Sequence, residues 1–188
     1  MADIAEHEPF RVCFVCSGNI CRSPTAEVVL RSMLAEAGIA GVVVDSAGTG
    51  DWHAGDDMDA RSRLTLTAQG YQPGVHTARQ FQVSDFAERE LVVAIDQGHL
   101  SRLSQLALLS DDPDGALASL VLLRSYDPAA VALGELDVPD PYYGGAEGFD
   151  LVLQQIKDAG TGLIAALADR NADRNADRNA DRTGAPGV

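Results

Sequence analysis

The sequence predicts an α/β protein with a small, doubly wound, four-stranded parallel sheet and helices on both faces. Short apolar runs rich in β-branched residues alternate along the chain with longer segments of helical character, which favours right-handed βαβ units. Parallel strands of this kind are covered on both faces and are therefore almost continuously apolar. The 188 residues, 46% of them apolar, suffice for one domain with one full core.

The first strand is predicted at Arg11 to Cys16, where RVCFVC is apolar, β-branched and aromatic. A turn-like loop follows, and then a helix in which Ser23 is placed as the N-cap and Pro24 as the first helical residue. The other strands are expected at 41–46, 90–96 and 120–124, and the helices at 24–37, 58–69, after the third strand to about 109, and from about 147. In such sheets the ligand site lies where the strand order reverses, at the carboxyl ends of the strands, so the loop after the first strand is the expected site.

Charge and cysteine content exclude several classes of function. The net charge is −14, which disfavours binding to nucleic acid and repels phosphate unless one place reverses the local field. No apolar run is long enough to cross a bilayer, and the acidic stretch from Met1 to Phe10 is unlike a signal peptide. Three cysteines within nine residues are not a disulfide framework, so a cytoplasmic protein is expected, with export lacking a signal peptide as the alternative.

The segment after the first strand carries the residues for phosphate chemistry. Cys16 and Arg22 are separated by five residues in a loop that leads into a helix. Successive backbone N–H groups and the helix dipole can hold an anion there, and an arginine fork matches two phosphate oxygens. The same positive field favours the thiolate of Cys16, to which Ser23 can donate a hydrogen bond. A buried cysteine in a glycine turn is the alternative.

The string VCFVCSGNICRSPTAE, residues 12–27, resembles the signature of low-molecular-weight protein tyrosine phosphatases. The family motif C-x-G-N-x-C-R-S-P occurs without a mismatch, and the resemblance covers about residues 11 to 168, looking most like actinobacterial members. It implies hydrolysis of phosphotyrosine and small aryl phosphates through a cysteinyl phosphate, without metal or cofactor. Phosphotyrosine proteins, and a tyrosine kinase that produces them, are the implied partners of a monomer. The implied phosphate-binding loop also includes the residues that lie between Cys16 and Arg22 and the one that follows Arg22, namely Ser17, Gly18, Asn19, Ile20, Cys21 and Ser23.

A general acid must protonate the leaving tyrosyl oxygen. Two Asp-Pro pairs, at 127–128 and 140–141, are candidates, and residue chemistry does not choose between them because most such pairs are only turns. The resemblance selects Asp140, since two tyrosines follow its proline directly. Asp127 is then expected at a structural turn.

A phosphotyrosine ring needs a slot with aromatic walls if its phosphate is to reach the loop. Tyr142 and Tyr143 are the candidates that lie next to the implied acid. Trp52 and the adjacent His53 are further candidates, and their alternative interpretation is ordinary half-buried side chains.

Three polar residues are implied to support the loop. In the family that the chain resembles, the residues matching Asn19, Ser46 and His76 form a hydrogen-bond network that fixes the phosphate loop. Asn19 is also suited to a left-handed backbone conformation. The other histidines, His7 and His99, are expected at the surface.

The remaining cysteines have separate interpretations. Cys13 is expected in the core of the first strand. For Cys21 the resemblance implies a reversible disulfide with Cys16 that protects the thiolate from oxidation, and simple packing is an equal alternative.

Two other functions are compatible with such a loop. A thioredoxin-coupled arsenate reductase needs further cysteines to relay a disulfide, and none follows Cys21. A non-catalytic phosphotyrosine-binding module would be expected to lack Cys16, Arg22 or Asp140, and all three are present.

The domain boundaries follow from these patterns. Residues 1–10 are expected to be a flexible leader, 11–168 the phosphatase domain and 169–188 a tail built on ADRN repeats. The repeat has no apolar face, so a helical extension or a disordered segment is expected there.

Overall fold

Four parallel strands form one sheet at the centre of the protein, which a computed structural model describes over residues 8–183. The sheet order is β2-β1-β3-β4, and every neighbouring pair is parallel. The predicted fold class and all four strands are therefore confirmed. The strands are β1 (Phe10–Cys16), β2 (Val42–Gly48), β3 (Leu91–Ala94) and β4 (Leu120–Leu122).

Six α-helices lie between and after the strands within residues 8–183. Two short ones, at 113–118 and 128–133, and the 3₁₀ turns at 83–88 and 123–126 were not predicted, because they have too few residues for a helical pattern. Asp127 caps the second of these helices by accepting from the backbone N–H of Ala129, as expected of a structural turn. The helices are α1 (Arg22–Glu36), α2 (Ala60–Ala68), α3 (Gln97–Ala107), α4 (Pro113–Ala118), α5 (Pro128–Leu133) and α6 (Ala146–Thr183).

The start of α1 differs from the prediction. The helix begins at Arg22 with Cys21 at the N-cap position, and no side chain caps it. The prediction of Ser23 as N-cap was wrong, because the loop takes its hydroxyl: Ser23 Oγ lies 3.0 Å from Cys16 Sγ. Local capping was overridden by contacts inside the functional loop.

The two faces of the sheet bury separate apolar cores. Along β1, Val12 and Phe14 face the core that includes residues of α1 and α6, whereas Cys13 and Val15 face the core on the α3 side. Cys13 is therefore a core residue, as predicted, and burial raises the pKa of its thiol. Every residue of β1 except Arg11 is buried, so the loop at its carboxyl end starts from a fixed position.

The strand order reverses beside β1, which lies between β2 and β3. The loop at 17–21 thus opens at the switch point of the sheet, where a ligand site was predicted. α6 continues as helix through the whole ADRN repeat to Thr183, and Arg170 stacks over the Phe10 ring at 4.3 Å. Within the described part of the chain no helix combines the length and hydropathy that a membrane span requires. His7 and residues 184–188 of the predicted tail lie outside the described residues.

Candidate active site

The loop after β1 turns sharply, and two positions in and beside it suit few residue types. Asn19 is fully buried with φ 58°, a left-handed conformation that asparagine tolerates better than most residues. At the end of β2, a Cβ on Gly48 would lie 2.6 Å from the carbonyl oxygen of Ser17. The end of β2 and the loop therefore touch backbone to backbone.

Cys16 lies at the start of this loop with its thiol against Ser23. The Sγ atom is 3.0 Å from Ser23 Oγ, and the same hydroxyl is 3.1 Å from the carbonyl oxygen of Ala47. Asn19 Nδ2 donates to Ser23 Oγ at 3.0 Å. Asn19 occupies one lone pair of that oxygen, and the single hydroxyl proton is donated to the Ala47 carbonyl. When the sulfur is a thiolate, the same proton can turn from that carbonyl to the sulfur.

The three predicted support residues converge on the loop. Asn19 Nδ2 donates to Ser46 Oγ at 2.9 Å, and His76 Nε2 lies 2.7 Å from the carbonyl oxygen of Asn19. Two partners were not predicted: the backbone N–H of Arg79 donates to Asn19 Oδ1 at 3.0 Å, and Ser46 donates to Glu27 Oε2 at 2.5 Å. Asn19 is thus held at its side chain and its backbone.

Arg22 is buried and its guanidinium is shared between two carboxylates. Nη1 donates to Asp96 Oδ2 at 2.8 Å and to the carbonyl oxygen of Val138 at 3.2 Å. Nη2 donates to Asp140 Oδ2 at 3.1 Å and to Ser17 Oγ at 3.4 Å. The side chain of Asp140 is 47% exposed and that of Asp96 21%. Nη1 therefore has the more buried carboxylate as its partner, and Nη2 the more exposed one.

His99 is buried in the structure, and the prediction that it lies at the surface was wrong. Its Nε2 is 2.8 Å from Ser17 Oγ, and its backbone N–H donates to Asp96 Oδ1 at 2.8 Å. Burial alone would raise the pKa of Asp96, but the hydrogen bonds from His99 and the charges nearby lower it to about 2. Asp96 follows β3 at the carboxyl edge of the sheet, a position that could have indicated a role at the site.

A cleft of about 370 Å³ opens above the loop and brings the predicted residues together. Trp52 and Tyr143 are largely exposed at its rim, at 64% and 94%. The rings of Tyr142 and Tyr143 meet edge to face with centroids 5.0 Å apart. Arg61, which was not predicted, donates to the carbonyl oxygen of Tyr142 at 3.0 Å. The lining residues are Cys16, Ser17, Gly18, Ile20, Cys21, Arg22, Trp52, His53, Asp140, Tyr142 and Tyr143.

The cysteines beside the site are free thiols. Burial, together with the nearby charge of Asp59, raises the pKa of Cys21 to about 12. Cys21 also lines the cleft with Cys16, so a reversible disulfide between them stays a prediction. Within residues 8–183 no group of three or more His, Cys, Asp or Glu side chains is arranged to hold a metal ion.

Residues 11–173 match the sequence model of the family described as low molecular weight phosphotyrosine protein phosphatase. The chain belongs to this family. The resemblance inferred from the loop motif is thereby confirmed, and membership makes the protein a protein tyrosine phosphatase, a hydrolase of phosphoric monoesters. The two open alternatives, an arsenate reductase and a non-catalytic module, are not the family that the chain matches.

Individual phosphatases of the family show the same relationship. The chain is 52% identical over 162 residues to the low molecular weight protein-tyrosine-phosphatase of Streptomyces coelicolor, covering 86% of this chain and 95% of that protein. It is 41% identical over 157 residues to the phosphatase A of Mycobacterium bovis, covering 83% and 90%. A crystal structure of a protein tyrosine phosphatase from Entamoeba histolytica superposes with a TM-score of 0.78 at 31% identity, covering 86% and 99%. The predicted likeness to actinobacterial members is confirmed.

Proposed function

We propose that the protein hydrolyses phosphotyrosine in proteins, and small aryl phosphates, with Cys16 as the nucleophile and a cysteinyl phosphate as intermediate. One observation carries this proposal. The thiol of Cys16, the guanidinium of Arg22 and the carboxyl of Asp140 line a single cleft, and a hydroxyl lies 3.0 Å from the sulfur. These groups are a nucleophile, a cation that binds the phosphate, an acid, and a hydroxyl that can donate a hydrogen bond to the thiolate. Together they suffice for phosphoryl transfer through cysteine.

Phosphate binds to Arg22 by replacing Asp140 as the partner of Nη2. Nη1 stays with Asp96 and with the buried carbonyl of Val138, whereas Nη2 releases the more exposed carboxylate of Asp140 and takes a phosphate oxygen. Backbone N–H groups of the loop and the N-terminus of α1 supply the rest of the anion site. A carboxylate that loses its cation and faces a phosphate dianion takes up a proton more readily. Binding therefore prepares Asp140 to act as an acid.

The reaction then proceeds in two displacements. The Cys16 thiolate attacks phosphorus, the S–P bond forms as the P–O bond to the tyrosyl oxygen breaks, and Asp140 donates its proton to that oxygen. In the second step Asp140 accepts a proton from the attacking water, the S–P bond breaks and inorganic phosphate leaves. Ser23 stabilises the departing thiolate by donating a hydrogen bond. No oxidant, metal or cofactor takes part.

The aromatic rim selects the aryl group. Tyr142 and Trp52 border the cleft above the loop, so they can enclose a phenyl ring. The shorter side chain of a phosphoserine would not reach the loop through the same slot. Tyr143, which is almost completely exposed, is placed to contact the protein chain around the phosphotyrosine.

The contacts of Asn19, Ser46 and His76 hold the loop in its binding shape before the substrate arrives. This preorganisation is what a phosphate cradle requires, because any reordering on binding would reduce affinity. The free and buried thiols support a reducing compartment, and we place the protein in the cytoplasm, as a monomer that reverses the action of a tyrosine kinase.

A trapping experiment tests the mechanism. An aryl phosphate with a good leaving group, mixed with the protein and quenched in acid, should give a burst of phenol equal to the protein concentration and one phosphoryl group on the Cys16 peptide by mass spectrometry. The Cys16→Ser chain should show neither signal, and EDTA should change neither. A phosphoryl group on another residue, or a burst that survives in Cys16→Ser, would contradict the proposal.

A further inference from the structure

Asp96, Arg22, Ser17 and His99 form a closed ring of hydrogen bonds beside the phosphate loop, in which His99 takes part through both its side chain and its backbone N–H. Asp96 accepts from Arg22 through Oδ2 at 2.8 Å and from the backbone of His99 through Oδ1 at 2.8 Å. His99 Nε2 lies 2.8 Å from Ser17 Oγ, and Arg22 Nη2 closes the ring by donating to Ser17 Oγ at 3.4 Å. The ring links a buried imidazole to a hydroxyl that lines the cleft directly after the nucleophile.

The position of Asp96 determines which nitrogen of His99 changes its protonation. His99 Nδ1 is buried and lies 2.9 Å from Asp96 Oδ1, at an angle too bent for a good hydrogen bond. A bare nitrogen lone pair at that distance would be repelled by the carboxylate, so Nδ1 carries a proton whether the ring is neutral or charged. Nε2, which faces Ser17, is the nitrogen that gains and loses a proton.

The proton on Nε2 determines where the hydroxyl of Ser17 points. When the ring of His99 is neutral, Ser17 donates its only proton to Nε2 and its oxygen accepts from Arg22. When the ring is charged, Nε2 donates instead, and both lone pairs of Ser17 Oγ are occupied by His99 and Arg22. The hydroxyl proton must then turn away from both, and Ser17 borders the cleft that holds the phosphate.

We infer that His99 is a positioning residue whose protonation turns the hydroxyl of Ser17 into a hydrogen-bond donor to the bound phosphate. With neutral His99 the oxygen of Ser17 presents no proton to the cleft, so one donor to the anion is absent. The phosphate loop therefore binds its anion more tightly when His99 is charged. This inference rests on the phosphate site proposed above and adds a pH-dependent component to it.

The charges around His99 come from several elements. Asp96 caps α3. Asp137 and Asp140, from the segment before α6, and Arg22, from α1, line the same groove as His99. A bound dianion favours the charged imidazole, so phosphate binding should be accompanied by proton uptake at His99.

Sulfate is a suitable probe because its charge does not change near neutral pH, unlike that of phosphate or vanadate. Its dissociation constant should be measured against pH in a Cys16→Ser background, which removes the titration of the nucleophile. The affinity should fall by ~10-fold or more as pH rises through the titration of His99, the usual worth of a hydrogen bond to a charged group. NMR of the His99 ring in the same sample supplies the midpoint, which must coincide with that of the binding step.

Two further chains separate the hydroxyl from the charge of the ring. Adding Ser17→Ala should reduce the step to the part that charge alone supplies, and Ser17→Thr, which keeps a hydroxyl, should restore it. Adding His99→Gln should remove the step altogether while leaving a constant affinity. Because His99 is buried, His99→Gln can also lower stability, but the Ser17 pair tests the same step with the imidazole of His99 still present.

The outcomes distinguish this inference from the proposed function. If Ser17→Ala keeps the full step, or if the step and the His99 titration differ in midpoint, the switch is wrong while the anion site stands. If sulfate fails to bind the Cys16→Ser chain, or binds equally well after Arg22→Ala, the anion site itself is wrong. If the role of His99 were purely structural, His99→Gln would change the melting temperature but would leave the pH dependence of sulfate binding in place.

Discussion

Arg22 and its two carboxylates determine how the site can respond to a substrate. Asp96 is partly buried and holds Nη1, whereas Asp140 is about half exposed and holds Nη2. Breaking a buried ion pair leaves an uncompensated charge and is costly, but an exposed pair contributes little. A phosphate is therefore expected to displace Asp140 and to leave Asp96 in place.

This difference leads to a prediction about the acid. Asp140→Asn should lower kcat for a phenyl phosphate with a poor leaving group by roughly 10²–10⁴, the usual effect of removing a general acid. The loss should shrink with a leaving group of low pKa, whose oxygen hardly needs a proton. Because Nη2 also loses its anionic partner, vanadate should bind more tightly than to the unsubstituted chain. Steady-state kinetics with a leaving-group series measures the first two effects, and inhibition constants the third.

Asp127→Asn is the matched control, since Asp127 has the same Asp-Pro context but caps α5. It should show no leaving-group dependence and should cost only stability. If the loss of kcat depends on the leaving group in Asp127→Asn and not in Asp140→Asn, then Asp140 is not the general acid.

The thiols should differ in reactivity. Burial raises the pKa of Cys13, and burial together with Asp59 raises that of Cys21 to about 12. A raised pKa keeps both as neutral, unreactive thiols near pH 7. Iodoacetamide should therefore inactivate the protein by modifying Cys16 alone, and phosphate should protect it. Peptide mapping by mass spectrometry checks this, and alkylation of Cys21 at a rate similar to that of Cys16 would contradict it.

At the level of the elements, α6 packs against α1 and helps to hold it in place. This matters for the site because Arg22 is the first residue of α1. Two glycines of α6 permit close packing. A Cβ on Gly162 would overlap the backbone carbonyl oxygen of Tyr126, whereas a Cβ on Gly160 would lie 2.9 Å from Met33 Sδ, the flexible end of a side chain. The first contact is rigid and the second can adjust.

The two glycines should therefore respond differently to alanine. Gly162→Ala should lower the free energy of unfolding by about 1–3 kcal/mol, as overpacking does. Gly160→Ala should change it by less than about 1 kcal/mol, because the helix propensity of alanine offsets the displacement of Met33. Urea unfolding of both chains measures the difference. Equal losses would mean that the contact with Tyr126 relaxes and does not fix α6.

For the molecule as a whole, the net charge is −14, so the proposed anion site in the loop has to attract phosphate to a chain that otherwise repels it. The ADRN repeat does not add to that charge, since its Asp and Arg residues balance, and it lies beyond the core residues of α6. The contact of Arg170 with Phe10 marks the last described attachment of α6 to the domain.

Removing the tail should thus leave catalysis intact. A chain ending at Arg170 should keep kcat and the free energy of unfolding of the full chain. A chain ending at Ala168 also loses the contact with the Phe10 ring, and should be less stable by roughly 0.5–1 kcal/mol, the usual value for an exposed cation–π contact. Activity and urea unfolding of both chains measure these effects. A large loss of kcat in the longer truncated chain would show that the ADRN repeat contributes to the site.

The amino-acid sequence alone determined the sheet, its four strands and the phosphate loop. Strands are indicated by continuous apolar runs, and the loop by Cys16, Arg22 and the residues between them, all within one local turn. Asp140 followed from the family resemblance, because two Asp-Pro pairs are chemically alike. Short helices and the cap of α1 were missed or misplaced, since each depends on a few residues whose local preference is weak.

Only the tertiary structure decided how the polar residues behind the loop are used. His99 was expected at the surface because nothing near it in the chain indicates burial, yet it contacts Ser17, 82 residues away. The anchoring of Arg22 by Val138 and the contact of Ser46 with Glu27 are likewise non-local. Hydrophobic periodicity is encoded locally, but whether a polar side chain can be buried depends on the partners that distant segments bring to it.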